Sequence, residues 1–286
     1  MFFGELSPQR ALVYARVPRP AEAGDWLLAG QVRGPRCLHA QTLPLRAALV
    51  DQGPGPTLLA RAVVPDPCCW SPDLPAIYDV TVELRRGEHV VWQERREIGL
   101  RWLGTSGRRL KLEARPWVLR GVRTTSAVET LPRHWHAARA GFIAPAAADE
   151  ALAEASQWGA LAVVEVAGDT DRLAAALGRL ARFPAVAIAL IDGPPGAGVH
   201  PPVTAPNLLL AQRIRNASDP VAPWARLLWV DARQEELLAG LAASSQLPIV
   251  AERALSERLP LEQARAACDA LQRDLAPIGQ FAAYVV

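Results

Sequence analysis

Four carboxylate residues lie at or beside the ends of short apolar runs in the second half of the sequence. They are Glu165 in ALAVVEV, Asp192 in AVAIALID, Asp231 in ARLLWVD and Glu252 in LPIVAE. Neighbouring carboxyl groups can divide into a nucleophile and a proton donor when their surroundings move their pKa values apart. All four carboxylates are therefore candidate site residues.

Each of these carboxylates also has a structural interpretation, and both interpretations stay open here. Glu252 would be a buried or loop-facing carboxylate paired with Arg253 or another arginine. Glu165 would be a polar residue at a strand end or a ligand-binding residue. Asp231 would either bind a ligand or act as the N-cap of the following helix.

Two aromatic residues, Trp224 and Trp229, are candidate ligand-binding residues, because an indole face can stack on a sugar ring. Core packing is the alternative for both. His134 and His136 are two positions apart and do not share a helix face. No Cys/His pattern has metal-ligand spacing, and the segment DGPPGAG lacks the GK[ST] of a phosphate-binding loop. We expect no metal site and no cofactor.

The elements that must position these residues are strands that alternate with helices from about residue 116 to residue 286. Eight apolar runs are separated by Ala/Leu/Glu/Arg-rich stretches with helical periodicity, and this order is typical of a parallel sheet. Eight strands predict a small (β/α)₈ barrel, in which functional residues lie at the carboxyl ends of the strands. VHPPVTAP, between two of the runs, has no helical pattern, so an incomplete barrel is the alternative. The eight runs are WVLRGV, GFIAPA, ALAVVEV, AVAIALID, NLLLAQRI, ARLLWVD, LPIVAE and FAAYVV.

Residues 1–115 have a different periodicity. About seven short alternating runs are separated by glycine and proline, and in YDVTVEL one face is apolar and the other polar. This period is that of half-buried antiparallel strands, and their number predicts an immunoglobulin-like β-sandwich. The sequence thus predicts two domains: a sandwich over 1–115 and a reduced barrel over 116–286.

Three stretches near the domain junction resemble glycoside hydrolase family 2. WSPDLPAIYDVTVEL is similar to the W-x-P-x-x-P-x-L-Y strand of that family's sandwich domain, and REIGLRW is similar to its x-x-G-[FL]-R strand. RRLKLEARPWVLRGV resembles the passage into its barrel, with Glu113-Ala114-Arg115 in place of an Asn-Gly turn. The resemblance implies the same fold: a sandwich followed by a glycosidase barrel.

The resemblance also assigns roles within the barrel. The family's passage into its third strand resembles DEALAEASQWGALAVVEVAG, and Glu165 matches the glutamate of that pattern. The family's seventh strand, which ends in the nucleophile, resembles LPIVAERA, and Glu252 matches the nucleophile. At the acid/base position of the fourth strand, however, this sequence has Pro194. Proline can neither donate a proton nor carry charge, and Asp192 is a shorter carboxyl group two positions earlier.

The residues that match the family therefore look architectural, whereas those missing are the ones that do its chemistry. The favoured hypothesis is a degenerate member that lacks glycosidase activity and serves as a carbohydrate-binding or protein-interaction scaffold. Two alternatives stay open. One is an active minimal retaining β-glycosidase with Glu252 as nucleophile and with Asp192, as a displaced acid/base, or Glu165 as the second carboxyl group. The other is a structural subunit whose barrel is plugged by its own side chains.

Composition excludes several other classes. The net charge of +2 is too small to indicate nucleic-acid binding, and the basic run RRLKLEARPWVLRGVR predicts a solvated strand face. No run approaches the ~20 apolar residues of a membrane span, and no signal peptide is evident. The four cysteines fit reduced thiols, so we expect a cytoplasmic protein. The sequence leaves the oligomeric state open.

Overall fold

The chain of 286 residues was analysed as a computed structural model, which describes residues 1–125, 131–167, 170–192, 201 and 205–286. It divides into two compact units, Met1–Arg101 and Trp102–Val286. The boundary predicted after residue 115 lies inside a small sheet that belongs to the second unit. None of the described helices is long and apolar enough to cross a membrane.

The first unit is a seven-stranded antiparallel sheet that curls on itself, in the order β1-β2-β5-β4-β3-β6-β7. β4 and β5 are joined over only two residue pairs, and apolar side chains from both halves of the sheet share one core, among them Val13, Leu58 and Val80. The predicted sandwich-like fold is confirmed. The strands are β1 (Phe2–Leu6), β2 (Arg10–Pro18), β3 (Trp26–Arg36), β4 (Leu45–Asp51), β5 (Thr57–Pro65), β6 (Ile77–Arg86) and β7 (His89–Ile98).

The Trp-Pro-Pro-Tyr stretch before β6 forms a corner of this unit. Trp70 is fully buried, and its backbone N–H donates to the carbonyl of Leu100 at 2.8 Å. The hydroxyl of Tyr78 accepts from the backbone N–H of Cys68 at 2.8 Å and donates to its carbonyl at 3.3 Å. Burial raises the pKa of Tyr78. The corner therefore has a structural role: its buried tryptophan and its hydrogen bonds hold the segment before β6 against the start of that strand.

The second unit begins with a small antiparallel sheet of β8 (Leu103–Ser106), β9 (Arg109–Leu112) and β10 (Arg115–Trp117). Glu113 and Ala114 join β9 to β10, and their φ angles are 50° and 63°. Two-residue hairpins of type I′ need positive φ at both central positions. The pair thus forms a tight turn without the usual Asn-Gly.

Eight parallel strands then close into a barrel, so the predicted barrel is confirmed and the incomplete alternative is wrong. They are β11 (Leu119–Arg123), β12 (Gly141–Ala144), β13 (Ala162–Val166), β14 (Val186–Asp192), β15 (Leu209–Arg213), β16 (Leu227–Asp231), β17 (Ile249–Glu252) and β18 (Ala283–Val285). β11 pairs with both β12 and β18, which completes the circle. Most of VHPPVTAP, between β14 and β15, lies outside the described residues.

The barrel unit also has five described helices. They are α1 (Pro132–Ala138), α2 (Asp149–Trp158), α3 (Thr170–Leu180), α4 (Glu235–Ser244) and α5 (Leu261–Leu275). α2 ends at Gly159, whose φ of 76° suits the left-handed C-cap. α5 packs on β11 and β18 through the buried Ala264, Cys268 and Leu271.

The barrel interior is a packed apolar core. Ile143, Val163 and Val250 belong to one buried cluster with the fully buried Trp229. Leu110 of β9 joins the same cluster, so the small sheet packs on the barrel core. Gly121 in β11 fits because a Cβ there would lie 2.5 Å from Ile143 Cδ1. This core supports the residues at the carboxyl ends of the strands.

Candidate functional site

Four charged residues at the carboxyl ends of alternate barrel strands form a closed ring of ion pairs. Arg123 ends β11, Glu165 lies near the end of β13, Arg213 ends β15 and Glu252 ends β17. In (β/α)₈ barrels, inward side chains from alternate strands form one layer. The uppermost layer of this barrel is therefore Arg-Glu-Arg-Glu, and we call these four residues the charge ring.

Each arginine of the charge ring binds both glutamates. Arg123 donates from Nε to Glu252 Oε1 at 2.5 Å and from its two terminal nitrogens to the oxygens of Glu165 at 2.9 and 3.1 Å. Arg213 donates to Glu252 Oε2 at 3.1 Å and to Glu165 Oε1 at 2.6 Å. The charges of the ring cancel, and the two guanidinium groups bridge the two carboxylates.

Trp229 supplies a further donor from β16. Its indole Nε1–H donates to Glu252 Oε2 at 2.7 Å, and the residue is fully buried. Glu252 therefore accepts from three side chains, and its own side chain is only 7% exposed. Trp229 is a candidate site residue that the structure does bring to Glu252, where it acts as a hydrogen-bond donor with its ring in the core.

The ring fixes the ionisation of Glu165 and Arg123. Burial acts to raise the pKa of Glu165, but the hydrogen bonds and charges of Arg123 and Arg213 outweigh it and hold that pKa below its ordinary value. Burial likewise acts to lower the pKa of Arg123, and the two glutamates raise it overall. Both residues are thus held in their charged forms.

The other predicted site residues lie outside the ring. Asp192 ends β14 with a side chain that is 40% exposed and forms an ion pair with Arg215. Asp231 accepts from the backbone N–H of Arg233 at 2.9 Å, whereas the cap of α4 is Gln234. The N-cap interpretation of Asp231 is therefore wrong, and the residue stabilises the turn before that helix.

Trp224 is also separate from the ring. It lies in the turn before β16, at the amino end of that strand, whereas the ring lies at the carboxyl ends. Its ligand-binding role stays a prediction, at a position away from the charge ring. Pro194, the residue at the expected acid/base position, lies outside the described residues.

Sequence reasoning missed the two arginines of the ring. The basic run was interpreted as a solvated strand face, but Arg123 points into the barrel and Arg120 is only 13% exposed, paired with Asp269 at 2.7 Å. That part of the interpretation is wrong. The missed signal is the period of two in Leu119-x-Gly121-x-Arg123, which places Arg123 on the same inward face as two barrel-core residues.

The described residues hold no group of three or more His, Cys, Asp or Glu that could bind a metal ion. The four cysteines, all within the described residues, are free thiols, and Cys268 is buried, where its thiol donates to the carbonyl of Gly121 at 3.2 Å. Burial raises the pKa of Cys268 to about 11, so this thiol is not a nucleophile at neutral pH.

A pocket of about 250 Å³ opens beside the ring, between the carboxyl end of β11, the segment after β17, α1 and the start of α5. Arg123 lines it, so one side of the ring faces this space. Its other lining groups include Thr124, Trp135 and Arg258. We call it the rim pocket.

Several solved structures that are similar to this chain in fold are glycosidases. An FMN-binding β-glucuronidase from Facaelibacterium prausnitzii matches with a TM-score of 0.68 at 13% identity, over 99% of this chain and 54% of its own. A Bacteroides uniformis β-glucuronidase matches with a TM-score of 0.63 at 13% identity, over 99% of this chain and 44% of its own. A glycosyl hydrolase family 2 member from Bacteroides cellulosilyticus matches with a TM-score of 0.62 at 14% identity, over 88% of this chain and 39% of its own.

The resemblance to glycoside hydrolase family 2 is thus confirmed at the level of the fold. The chain spans about two fifths to half the length of these solved structures. No family model matches the sequence, and no curated protein matches it. Fold alone does not establish an activity, so function has to be argued from the charge ring.

Proposed function

We propose that this chain is a non-catalytic protein with a glycosidase fold, whose barrel mouth is plugged by its own side chains and which acts as a scaffold. The observation that carries the proposal is the charge ring, in which two of the three candidate catalytic carboxylates, Glu165 and Glu252, are bound by the same two arginines. This combines the favoured hypothesis from the sequence with the plugged-barrel alternative.

Proton donation is the first step that the ring opposes. A glycosidase acid must carry a proton at the working pH, which enzymes achieve by raising a carboxyl pKa. The arginines of the ring hold the pKa of Glu165 below its ordinary value. Glu165 is therefore ionised at neutral pH and has no proton to give to a leaving group.

Nucleophilic attack is the second step. Retaining glycosidases place two carboxyl groups roughly 5–5.5 Å apart with the sugar between them. Here the guanidinium groups of Arg123 and Arg213 bridge Glu165 and Glu252. Glu252 also accepts from Trp229, so three donors already engage its two oxygens. A substrate would have to break several charge-assisted hydrogen bonds before it reached the carboxylate.

Hydrolysis of aryl β-glycosides by purified protein tests the proposal. We expect the wild type, Glu252→Gln and Glu165→Gln to release aglycone at the same background rate, across β-glucuronide, β-galactoside and β-glucoside substrates. The competing hypothesis is an active minimal glycosidase with Glu252 as nucleophile. It is supported instead if the wild type hydrolyses one substrate and Glu252→Gln loses roughly 10²-fold or more of that rate.

The scaffold role includes carbohydrate binding or protein interaction, and titration separates the two. Binding of free monosaccharides, followed by isothermal titration calorimetry with the wild type and Trp229→Phe, tests the carbohydrate role. A saturable signal that Trp229→Phe abolishes would place a sugar at the ring and contradict a plugged mouth. If none of the monosaccharides binds, protein interaction is the scaffold role that we propose.

A further inference from the structure

One face of the first unit carries arginines among exposed apolar side chains. In β2, β4 and β5 the side chains alternate between the core and the solvent. The register of these strands places Arg61 directly opposite both Tyr14 and Val50, so charged and apolar groups lie side by side. We call this surface the arginine face, and it is made of the outward side chains of Tyr14, Arg16, Arg46, Val50, Arg61 and Val63.

The charges of this half of the sheet are not balanced. β1, β2, β4 and β5 contain four arginines and two carboxylates. Arg10 binds both oxygens of Glu5, and the two oxygens of Asp51 accept backbone N–H groups at 2.7 Å each. The other three arginines form no ion pair with any residue that the structure describes, and they are Arg16, Arg46 and Arg61.

The other end of the same sheet differs. β6 and β7 contain four arginines and four carboxylates, and each of the eight is in an ion pair. Arg95, for example, binds Asp79 at 3.0 Å. The fold therefore neutralises the charges of β6 and β7 within the protein, whereas the arginine face keeps a positive charge that faces outward.

Apolar side chains between these arginines are exposed as well. Val50 is 58% exposed and Val63 is 48% exposed, and Val63 lies opposite the half-buried Leu12. Single exposed apolar residues are ordinary on protein surfaces, but arginine and tyrosine beside aliphatic side chains are typical of protein interfaces. A partner on this face would remove apolar area from water and supply carboxylates to the arginines.

The contacts and charges of the face decide which partner fits. The Phe2 ring stacks on Tyr14, with centroids 5.3 Å apart and planes 17° apart, and the Arg16 guanidinium lies over the Phe2 ring at 5.9 Å. These contacts occupy ring surface that a sugar or a nucleic-acid base would need for stacking. A second copy docked through the same face would set arginines against arginines, because such a contact pairs a surface with itself. A segment with carboxylates and aliphatic side chains fits both features.

We propose that the arginine face is a docking surface for an acidic protein partner, whose carboxylates accept hydrogen bonds from its arginines and whose apolar side chains cover Val50 and Val63. The proposal names a class of partner for the scaffold role proposed above, but it uses no residue of the charge ring. Peptide binding and glycoside hydrolysis are separate measurements, so either proposal can fail while the other stands.

A library of random peptides displayed on phage tests the proposal, with the full-length protein as bait. We expect the peptides that the wild type enriches to contain more Asp and Glu than the unselected library, together with apolar residues. The enriched sequences are then synthesised with a fluorescent label, and fluorescence anisotropy measures their affinity. This affinity should fall as the salt concentration rises, because salt screens exposed charges.

Charge-reversal variants locate the binding surface. The double variant Arg16→Glu/Arg61→Glu is expected to bind these peptides about a hundredfold more weakly, or about tenfold for each charge-assisted hydrogen bond lost. Arg46→Glu alone leaves the contact between Arg16 and Phe2 intact and is expected to weaken binding by about tenfold. The matched control, Arg109→Glu/Arg133→Glu, reverses two exposed arginines of the second unit and should bind as the wild type does. Circular dichroism checks that each variant is folded.

Several results would overturn the proposal. The enriched peptides could be no more acidic than the unselected library, or they could bind the double variant as tightly as the wild type. An equal loss of affinity in the control variant would show only a general attraction between opposite charges. A single-stranded oligonucleotide or a hyaluronate oligosaccharide that binds the face more tightly than the peptides would identify another class of partner. A dimer in analytical ultracentrifugation that the double variant abolishes would identify a second copy of the chain.

Discussion

Replacing Glu252 by glutamine distinguishes a structural charge ring from a catalytic site. In a retaining active site the nucleophile lies near a second carboxylate, so removing its charge relieves repulsion and is neutral or stabilising. In the charge ring the same change removes one negative charge that faces two arginines. We therefore expect Glu252→Gln to destabilise this protein.

The magnitude follows from the contacts of Glu252. Its two hydrogen bonds from Arg123 and Arg213 are charge-assisted, worth about 1.5–3 kcal/mol each, against about 0.5–1.5 kcal/mol for neutral ones. Glutamine keeps one acceptor oxygen but turns an amide donor towards a guanidinium. Glu165 still neutralises part of the arginine charge, so the loss lies near the lower end of the ~3–5 kcal/mol found for broken buried pairs.

We expect a loss of about 3 kcal/mol. For a unit of the length of Trp102–Val286, that lowers the melting temperature by roughly 6–12 °C. Differential scanning calorimetry at pH 7 measures it, with urea unfolding as an independent check. Asp192→Asn is the matched control, because the Asp192–Arg215 pair is exposed and such pairs contribute about 0–1 kcal/mol. An unchanged or raised melting temperature for Glu252→Gln would refute the structural role of the ring.

Three further predictions concern pH and backbone geometry. Burial acts to raise the pKa of Glu165, but the ring arginines hold this pKa below its ordinary value of 4.5. The ionised carboxylate of Glu165 therefore stabilises the fold fully above about pH 4.5, and this stabilisation is lost as the pH falls through the lowered pKa. Urea unfolding at pH 7 and at lower pH should show the gap between wild type and Glu165→Gln narrowing below about pH 4.5, and a constant gap would contradict this. Gly121→Ala should destabilise the protein by about 1–3 kcal/mol through overpacking of the barrel, because the added Cβ would lie 2.5 Å from a core side chain. Gly240→Ala, at a helix position with nothing within 4 Å of the added Cβ, should instead stabilise the protein by about 0.5–1 kcal/mol. Thermal unfolding compares the two variants. Ala114→Gly should also raise the melting temperature, since φ is 63° there and glycine adopts positive φ without steric cost; a decrease would show that the turn is not strained.

Much of the fold could be predicted because its signals are local. The alternation in YDVTVEL and the apolar stripes of the helices depend on neighbours within a few residues. The sandwich-like sheet, the eight barrel strands and the resemblance to glycoside hydrolase family 2 all follow from such patterns. The closure of the barrel does not, because it depends on β11 pairing with β18 at the far end of the chain.

The site was predicted in part. Glu165 and Glu252 are predicted from their positions at strand ends and Trp229 as an aromatic residue that could stack on a sugar, and the structure brings all three together. The pairing of Glu252 with an arginine was one of the open alternatives, but the neighbour considered first was Arg253, which instead pairs with Asp274 at 2.6 Å. The actual partners are 129 and 39 residues away along the chain.

The sequence by itself determined the two kinds of secondary structure, the barrel strands and the carboxylates that end two of them, because residue type and periodicity act over short distances. Only the tertiary structure decided what those carboxylates face. When the eight strands close, alternate strands contribute one layer of side chains, so Arg123, Glu165, Arg213 and Glu252 meet and neutralise each other. Because ion pairing falls off within a few ångströms, this meeting, and with it the character of the barrel mouth, is set by three-dimensional closure of the chain.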